Sequence, residues 1–528
     1  MSSSLSGPKG HAMSIAQRIA VLAIGMSLAA CGGSSGGGLG TGGNTGGGNG
    51  WTPGVFLPAS TFQSQCAAPR AGTADIQGTT TDENNFLRSY SDDTYLWYAE
   101  IVDRDPALFE TPEYFDLLKT TDSTPSGSAK DQFHFTFPTD EWIALSQSGV
   151  SAGYGTQFVL LRSAPPREIL VAYTDPNTPA EAEGLGRGAE ILFADGEDVI
   201  NGTDVDKLNA AFFPSAAGQP HTFIIRDLGA QATREITMVS AIVTSTPVQY
   251  VKTIPNGGGN VGYLLFNDHI ATAERGLFDA VTQLAASNID DLVIDVRYNG
   301  GGFLDIASEL AYMVAGAAQT GGRTFELLTF NDKHPATDPV TGQPITPIGF
   351  HSQSLGFDPS LATGTALPTL NLSRVFVLTG AGTCSASESI INSLRGIDVE
   401  VIQIGSTTCG KPYGFYATGN CGTHYFTIQF RGENDKGFGD YTDGFTPSNT
   451  LGNEGTVIPG CSIADDFSAV LGDPTENRLA AALQYAQTGA CPAPTGIAQL
   501  GVAKLALTTD EDLVVPKSIW HQNRIVGR

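Results

Sequence analysis

Two short segments carry the side chains best suited to acyl-transfer chemistry: Cys384-Ser385-Ala386-Ser387-Glu388 and, further along, Cys409-Gly410-Lys411. A serine hydroxyl is a poor nucleophile until a base removes its proton, and a lysine with a reference pKa of about 10.4 is charged at neutral pH. Burial in a water-poor pocket disfavours the ammonium form and would let such a lysine serve as that base. Ser385 is then a candidate nucleophile and Lys411 a candidate general base, a pairing that calls for no metal and no cofactor. The plainer reading is a capping box, in which Ser385 and Glu388 satisfy amides at a helix start, with Lys411 an ordinary surface residue.

The surrounding pattern predicts how the two would meet. Val375 to Leu378 is a short apolar run closed by Gly380 and Gly382, as expected of a fully buried strand. Ile390, Ile391 and Leu394 then recur at helical spacing up to Gly396, and Val399 to Ile404 is a second buried run. A strand, helix, strand unit of this length is a parallel crossover. Ser385 and Lys411 thereby fall just beyond two strand ends on the same edge, where open α/β sheets place their ligands. A third loop has the same placement: Leu292 to Arg297 reads as a buried strand, followed by Asn299-Gly300-Gly301-Gly302 and a helical pattern through Leu304, Ile306, Leu310 and Met313. Consecutive glycines turn sharply and present bare N–H groups, as an oxyanion hole requires.

Asp295 to Gly302, Ser385-Ala386-Ser387-Glu388 and Gly410-Lys411, in this order, resemble the C-terminal processing (tail-specific) serine peptidases, which use a Ser/Lys pair in place of Ser/His/Asp. The resemblance implies Ser385 as nucleophile, Lys411 as general base and Glu388 as a third member orienting the lysine or merely capping. It also implies an oxyanion hole from the N–H of Ala386 and of Gly300 or Gly301, a crotonase/ClpP-like α/β catalytic domain with an inserted or preceding PDZ-like domain, and protein or peptide substrates. Residues 147–240 fit the PDZ-like part: short strands and glycine turns, a Gly153-Tyr154-Gly155 loop as candidate peptide-binding element, and a helix over Val205 to Phe212. A structural β domain without tail binding is the equal alternative.

The rest of the chain frames this core. Its 54 acidic against 28 basic residues argue against nucleic acid as a partner. Arg18, the apolar run Ile19 to Leu28 and Leu28-Ala29-Ala30-Cys31 read as a lipoprotein signal peptide (1–30) with lipidation at Cys31, hence a bacterial envelope protein anchored to a membrane, periplasmic or outer-membrane. Residues 31–59 form a Gly-rich tether; its Gly32-Gly33-Ser34-Ser35-Gly36 mimics a nucleophile elbow with no strand to present it. Residues 60–146 read as helical and packed against the catalytic domain, with His134 a core histidine. The catalytic domain is expected over 241–490, with loops or a hairpin at 319–370, a strand over Thr423 to Phe430 and a helix over Glu476 to Ala486; the role of the tail, 491–528, is not legible.

Of 7 cysteines, lipidation of one leaves an even set suited to disulfides in an exported protein. Cys384 and Cys409, on neighbouring strand ends ~5 Å apart, form the favoured pair; Cys409 with Cys421, or free thiols, are the alternatives. Rival functions narrow quickly. A penicillin-recognising Ser-x-x-Lys occurs at Ser6 to Lys9, ahead of the mature chain, and no His-Glu-x-x-His is present. A Ser/His enzyme with His424 as base, and a non-catalytic PDZ-type peptide-binding surface lipoprotein, remain.

Overall fold

The computed structural model describes residues 51–162, 164–451 and 455–492 and, as backbone, 524–525. The signal segment, Cys31 and most of the Gly-rich stretch lie outside the described residues. No helix among them is long and apolar enough to cross a membrane.

Helix α1 (Thr80–Thr94) is the first α-helix among the described residues. Thr79 and Asp82 cap it reciprocally (Asp82 N–H to Thr79 Oγ1 3.2 Å, Thr79 N–H to Asp82 Oδ2 2.9 Å), and Phe86, Leu87 and Tyr90 are buried one turn apart, as helical spacing requires. The region is not wholly helical. Strand β1 (Phe135–Pro138) pairs antiparallel with Thr423–Phe426, and a disulfide joins Cys66 to Cys421. Tyr95, Phe133 and Trp142 enter the main hydrophobic core. His134 is buried, stacked on Phe115 with 3.8 Å between ring centroids and bonded to Phe115 O at 2.8 Å.

Alternating apolar residues build a small antiparallel sheet next. Its strands are β2 (Thr156–Arg162), β3 (Glu168–Thr174), β4 (Glu190–Ala194), β5 (Pro220–Arg226) and β6 (Arg234–Val239), in the order β6-β5-β4-β3-β2. Phe223 and Ile225, and Ile236 and Met238, turn to one face, where helix α2 (Val205–Phe212) covers them with Leu208 and Phe212 in a core of its own.

The larger sheet positions the chemistry. In chain order come β7 (Val248–Asn256), β8 (Gly259–Phe266), α3 (Ala273–Ala286), β9 (Asp291–Asp295), β10 (Gly302–Phe303), α4 (Leu304–Ala315), β11 (Arg374–Thr379), α5 (Ala386–Gly396), β12 (Glu400–Gly405), β13 (Tyr413–Gly414), β14 (Gly460–Ser462), α6 (Asn477–Thr488) and β15 (Arg524–Ile525). The sheet order is β7-β8-β9-β11-β12-β14; β7 runs antiparallel and the rest are parallel. Residues of α3, α4 and α5 pack on one face and α6 on the other, which is why β9 and β11 are continuous apolar runs rather than alternating ones. The predicted β11, α5, β12 crossover is present in parallel register. Residues 319–370 are mostly loop but contribute Thr324–Thr329, a strand that pairs with Phe430–Glu433. The single strand expected over Thr423 to Phe430 is two, Thr423–Phe426 and Phe430–Glu433, serving different sheets.

Beneath the glycine loop lies a buried charge cluster. Arg297 is 1 % exposed and bonds Asp295 (2.9 Å), Glu476 (2.7 and 3.0 Å) and Asp465 (3.2 Å). Arg187, just ahead of β4 in the chain, joins through Asp465 and donates to Tyr298 Oη at 2.6 Å. These cations hold the Asp465 carboxyl well below its ordinary range against the opposing effect of burial. Replacing Arg297 with methionine should cost about 3–5 kcal/mol, because Asp295 and Glu476 would stay buried without their counter-charge. A urea midpoint unchanged in Arg297→Met would refute this.

Candidate active site

The segment carrying Ser385 begins where β11 ends. Gly380 N–H donates to Thr383 Oγ1 (2.9 Å), the Thr383 hydroxyl donates to Val296 O (2.7 Å), and Cys384 N–H donates to Asn299 O (3.2 Å). This lashes the turn after β11 to the loop after β9. Ser385 follows at φ 59°, ψ −117°, a conformation non-glycine residues rarely adopt, at a cost of about 1–3 kcal/mol. Its Oγ is buried and makes no hydrogen bond among the described residues. Ser385 and Glu388 face each other as in the predicted capping box, and the hydrogen bond between them runs from Ser385 N–H to Glu388 Oε2 at 2.8 Å.

Lys411 follows β12 through a turn that requires glycine. At Gly410, φ is +84° and a Cβ would sit 2.3 Å from Thr442 O. The lysine is fully buried, with Nζ 4.7 Å from the ring centroid of Phe133 and 4.5 Å from that of Phe415. Phe133 comes from the N-terminal region, so that region helps to wall the pocket of Lys411.

Glu388 ties the two segments together. Its carboxylate accepts from Ser385 N–H, Gly410 N–H (2.9 Å), Lys411 N–H (2.8 Å) and the Thr408 hydroxyl (2.5 Å). Burial pushes this carboxyl above its ordinary range, and these four bonds oppose the shift. The expected orientation of the lysine by Glu388 takes a particular form here: the carboxylate holds the Lys411 backbone N–H. The Cys384–Cys409 disulfide, Cα to Cα 5.2 Å, adds a covalent tie between the segments carrying Ser385 and Lys411. The other two bridges join Cys66 to Cys421 and Cys461 to Cys491, which rules out the Cys409–Cys421 alternative. A Cys384→Ser/Cys409→Ser variant should stay folded but lose about 10- to 100-fold in kcat with little change in KM, since small misplacements of reacting groups are costly. Loss in KM alone would contradict a positioning role.

The glycine loop separates the two candidate oxyanion donors. Gly301 N–H is already donated to Asn299 Oδ1 at 3.0 Å, which removes Gly301 as a donor. Gly300 N–H has no partner among the described residues, and neither has Ala386 N–H, the first amide of α5. Asn299 O accepts from Cys384 N–H and from Ser387 Oγ (3.1 Å), clamping the loop beside Ser385. One positioning residue, His269, escaped the motif reading, and it acts on Asn299 inside the motif. His269, buried and pushed down to about 3 by desolvation, is neutral; because Asn299 Oδ1 can only accept, Nδ1 carries the proton and donates to it at 3.0 Å. Asn299 Nδ2 donates to Phe266 O at 2.9 Å. Gly302, at φ +136°, lets the loop pass so close to His269 that a Cβ would lie 2.5 Å from its carbonyl oxygen. The only sequence hint was a histidine just past a buried strand.

The remaining candidates lie elsewhere. Gly153 ends a short strand paired with Ala241, and Tyr154 is 3 % exposed with its hydroxyl bonded to Ala211 O at 2.9 Å. Gly155, at φ +74°, would carry its Cβ into Thr178. The loop thus presents its aromatic side chain to the small core and not to a groove. His424 bonds Thr139 Oγ1 at 2.9 Å and is lowered by burial; the structure does not bring it to Ser385.

Comparison with known proteins fits this geometry. Residues 260–414, spanning the glycine loop, Ser385 and Lys411, match the model of Peptidase family S41. Over 169 residues the chain is 27% identical to the carboxyl-terminal-processing protease of Picosynechococcus sp. and 25% identical to that of Synechocystis sp., in each case over 32% of this chain. The match spans 40% and 39% of those relatives' lengths. A candidate S41 protease from Bacteroides fragilis shares the fold, with TM-score 0.57 and 23% identity over 80% of this chain and 100% of that one. Residues 260–414 are thus similar to the peptidases of family S41, and the segments holding the glycine loop, Ser385 and Lys411 all lie inside that match.

Proposed function

We propose that the chain is a serine endopeptidase working through Ser385 and Lys411. The observation carrying this reading is that one buried carboxylate, Glu388, gathers the N–H groups of Ser385 and Lys411, while the Ser385 hydroxyl is left unbonded in a strained turn. In this reading Lys411 acts as the neutral amine, its Nζ beside the rings of Phe133 and Phe415. That amine takes the Ser385 proton as Oγ attacks the scissile carbonyl. The developing oxyanion is held by Ala386 N–H and Gly300 N–H, each donor of this kind being worth about 3 kcal/mol. The lysine ammonium then protonates the leaving amine, and the amine so regenerated activates the water that releases the acyl group.

In this reading the larger sheet is a crotonase/ClpP-like catalytic domain and the small sheet a PDZ-like module. The module's edge strand β2 offers unpaired backbone beside α2 for a substrate's C-terminal segment, with Tyr154 as structural support. A lipid on Cys31 would hold the protein at a bacterial envelope membrane, periplasmic or outer. The test is digestion of an unstructured protein by the form starting after Cys31, with Ser385→Ala as control. New fragments from the wild type alone support the reading; binding without cutting by both overturns it.

A further inference from the structure

The distal strand β15 occupies a telling place. It pairs in parallel with β10, Arg524 opposite Gly302 and Ile525 opposite Phe303. The opposite edge of β10 is taken by His269, whose carbonyl accepts from Phe303 N–H at 2.8 Å and whose N–H donates to Gly301 O at 3.1 Å. β10 is thus the middle of three parallel segments, and β15 its outer neighbour. β15 also comes within 8 Å, Cα to Cα, of β13, which starts two residues beyond Lys411. An extended segment at this place runs between the glycine loop that carries Gly300 and the strand that follows the base.

We propose that the outer edge of Gly302–Phe303 is a docking surface for an extended peptide, and that its resident occupant is this chain's own distal segment around Arg524–Ile525. Backbone pairing is largely indifferent to side chains, so a strand added to this edge gains its ladder hydrogen bonds whatever its sequence. The Cys461–Cys491 disulfide anchors the start of the tail to β14, the last strand of the large sheet. Tethering turns docking into an intramolecular event at a high effective concentration, so even a weak self-strand competes with free peptides. Substrates must displace it, which raises KM and leaves kcat alone once substrate is bound.

The inference rests on the peptidase reading for its kinetic arm only. Arg524→Pro/Ile525→Pro in the full chain removes the backbone donors of β15 and breaks the ladder. This variant should cleave a reporter peptide with a KM lower by about 3- to 10-fold at unchanged kcat. Independently of cleavage, a fluorescent peptide of residues 516–528 should bind the double-proline variant carrying Ser385→Ala several-fold more tightly than Ser385→Ala with its native tail. Equal binding to both proteins overturns the proposal. If neither form cuts any substrate but the binding difference appears, the peptidase reading fails and the docking surface stands.

Discussion

Lys411→Met should lower kcat/KM for an unstructured substrate by about a hundred- to ten-thousand-fold while leaving the fold intact, because it removes positioned proton transfer but keeps an unbranched side chain of similar length. The Lys411 Nζ lies 4.7 and 4.5 Å from the ring centroids of Phe133 and Phe415, and a thioether can sit beside these rings without the cost of burying a charge. Lys411→Arg should be no better, since a guanidinium cannot give up its proton in a protein and is broader than the ammonium. Ser385→Ala should fall at least as far. The double variant should lose no more than the worse single one, since nucleophile and base act as a unit. Labelling of Ser385 by a serine-directed phosphonate gives a second readout: it should slow in Lys411→Met by a comparable factor. A Lys411→Met enzyme retaining a tenth or more of wild-type kcat/KM would sink the lysine as base.

Glu388→Ala should destabilise the protein by about 3–5 kcal/mol and abolish measurable turnover. The carboxylate satisfies three buried N–H groups and one hydroxyl; without it, each is left unpaired at a cost of about 1–3 kcal/mol, partly relieved by movement. That movement is the functional damage, because the groups released belong to the segments carrying nucleophile and base. Glu388→Gln distinguishes charge from shape. Its amide keeps one accepting oxygen but turns an NH2 toward donors, so about half of the stability loss and a kcat decrease of about 10- to 100-fold are expected. Urea melts and steady-state kinetics on both variants provide the check. A glutamine variant as stable and as active as wild type would reduce Glu388 to a spectator.

How much of this could be read along the chain depends on how local each cause is. Strand, turn and helix around Ser385 follow from an apolar run, glycines and a 3.6-residue period, and neighbours in sequence set all three. The parallel crossover follows from the length of the connection. Ser385 and Lys411 were therefore placed on one sheet edge correctly, and Cys384 was paired with Cys409 for the same reason. The helix that the PDZ resemblance implies over Val205 to Phe212 is present with those bounds.

What escaped was whatever a distant segment supplies. Whether Gly300 or Gly301 keeps a free N–H depends on Asn299, and the Asn299 rotamer depends on His269 from the end of β8. Phe133 reaches Lys411 only because strand β1 docks on Thr423–Phe426. Tyr154 looked like part of a peptide-binding loop until α2 was seen to accept its hydroxyl. Arg297 lay inside a motif, yet its partners Asp465 and Glu476 come from the far end of the chain. The amino-acid sequence alone determined the local elements and the chemical types at the site, because those are set by side-chain period and backbone permissiveness. Only the tertiary structure decided which donors stay unpaired and which rings wall the base, because hydrogen-bond satisfaction and burial are properties of neighbours in space.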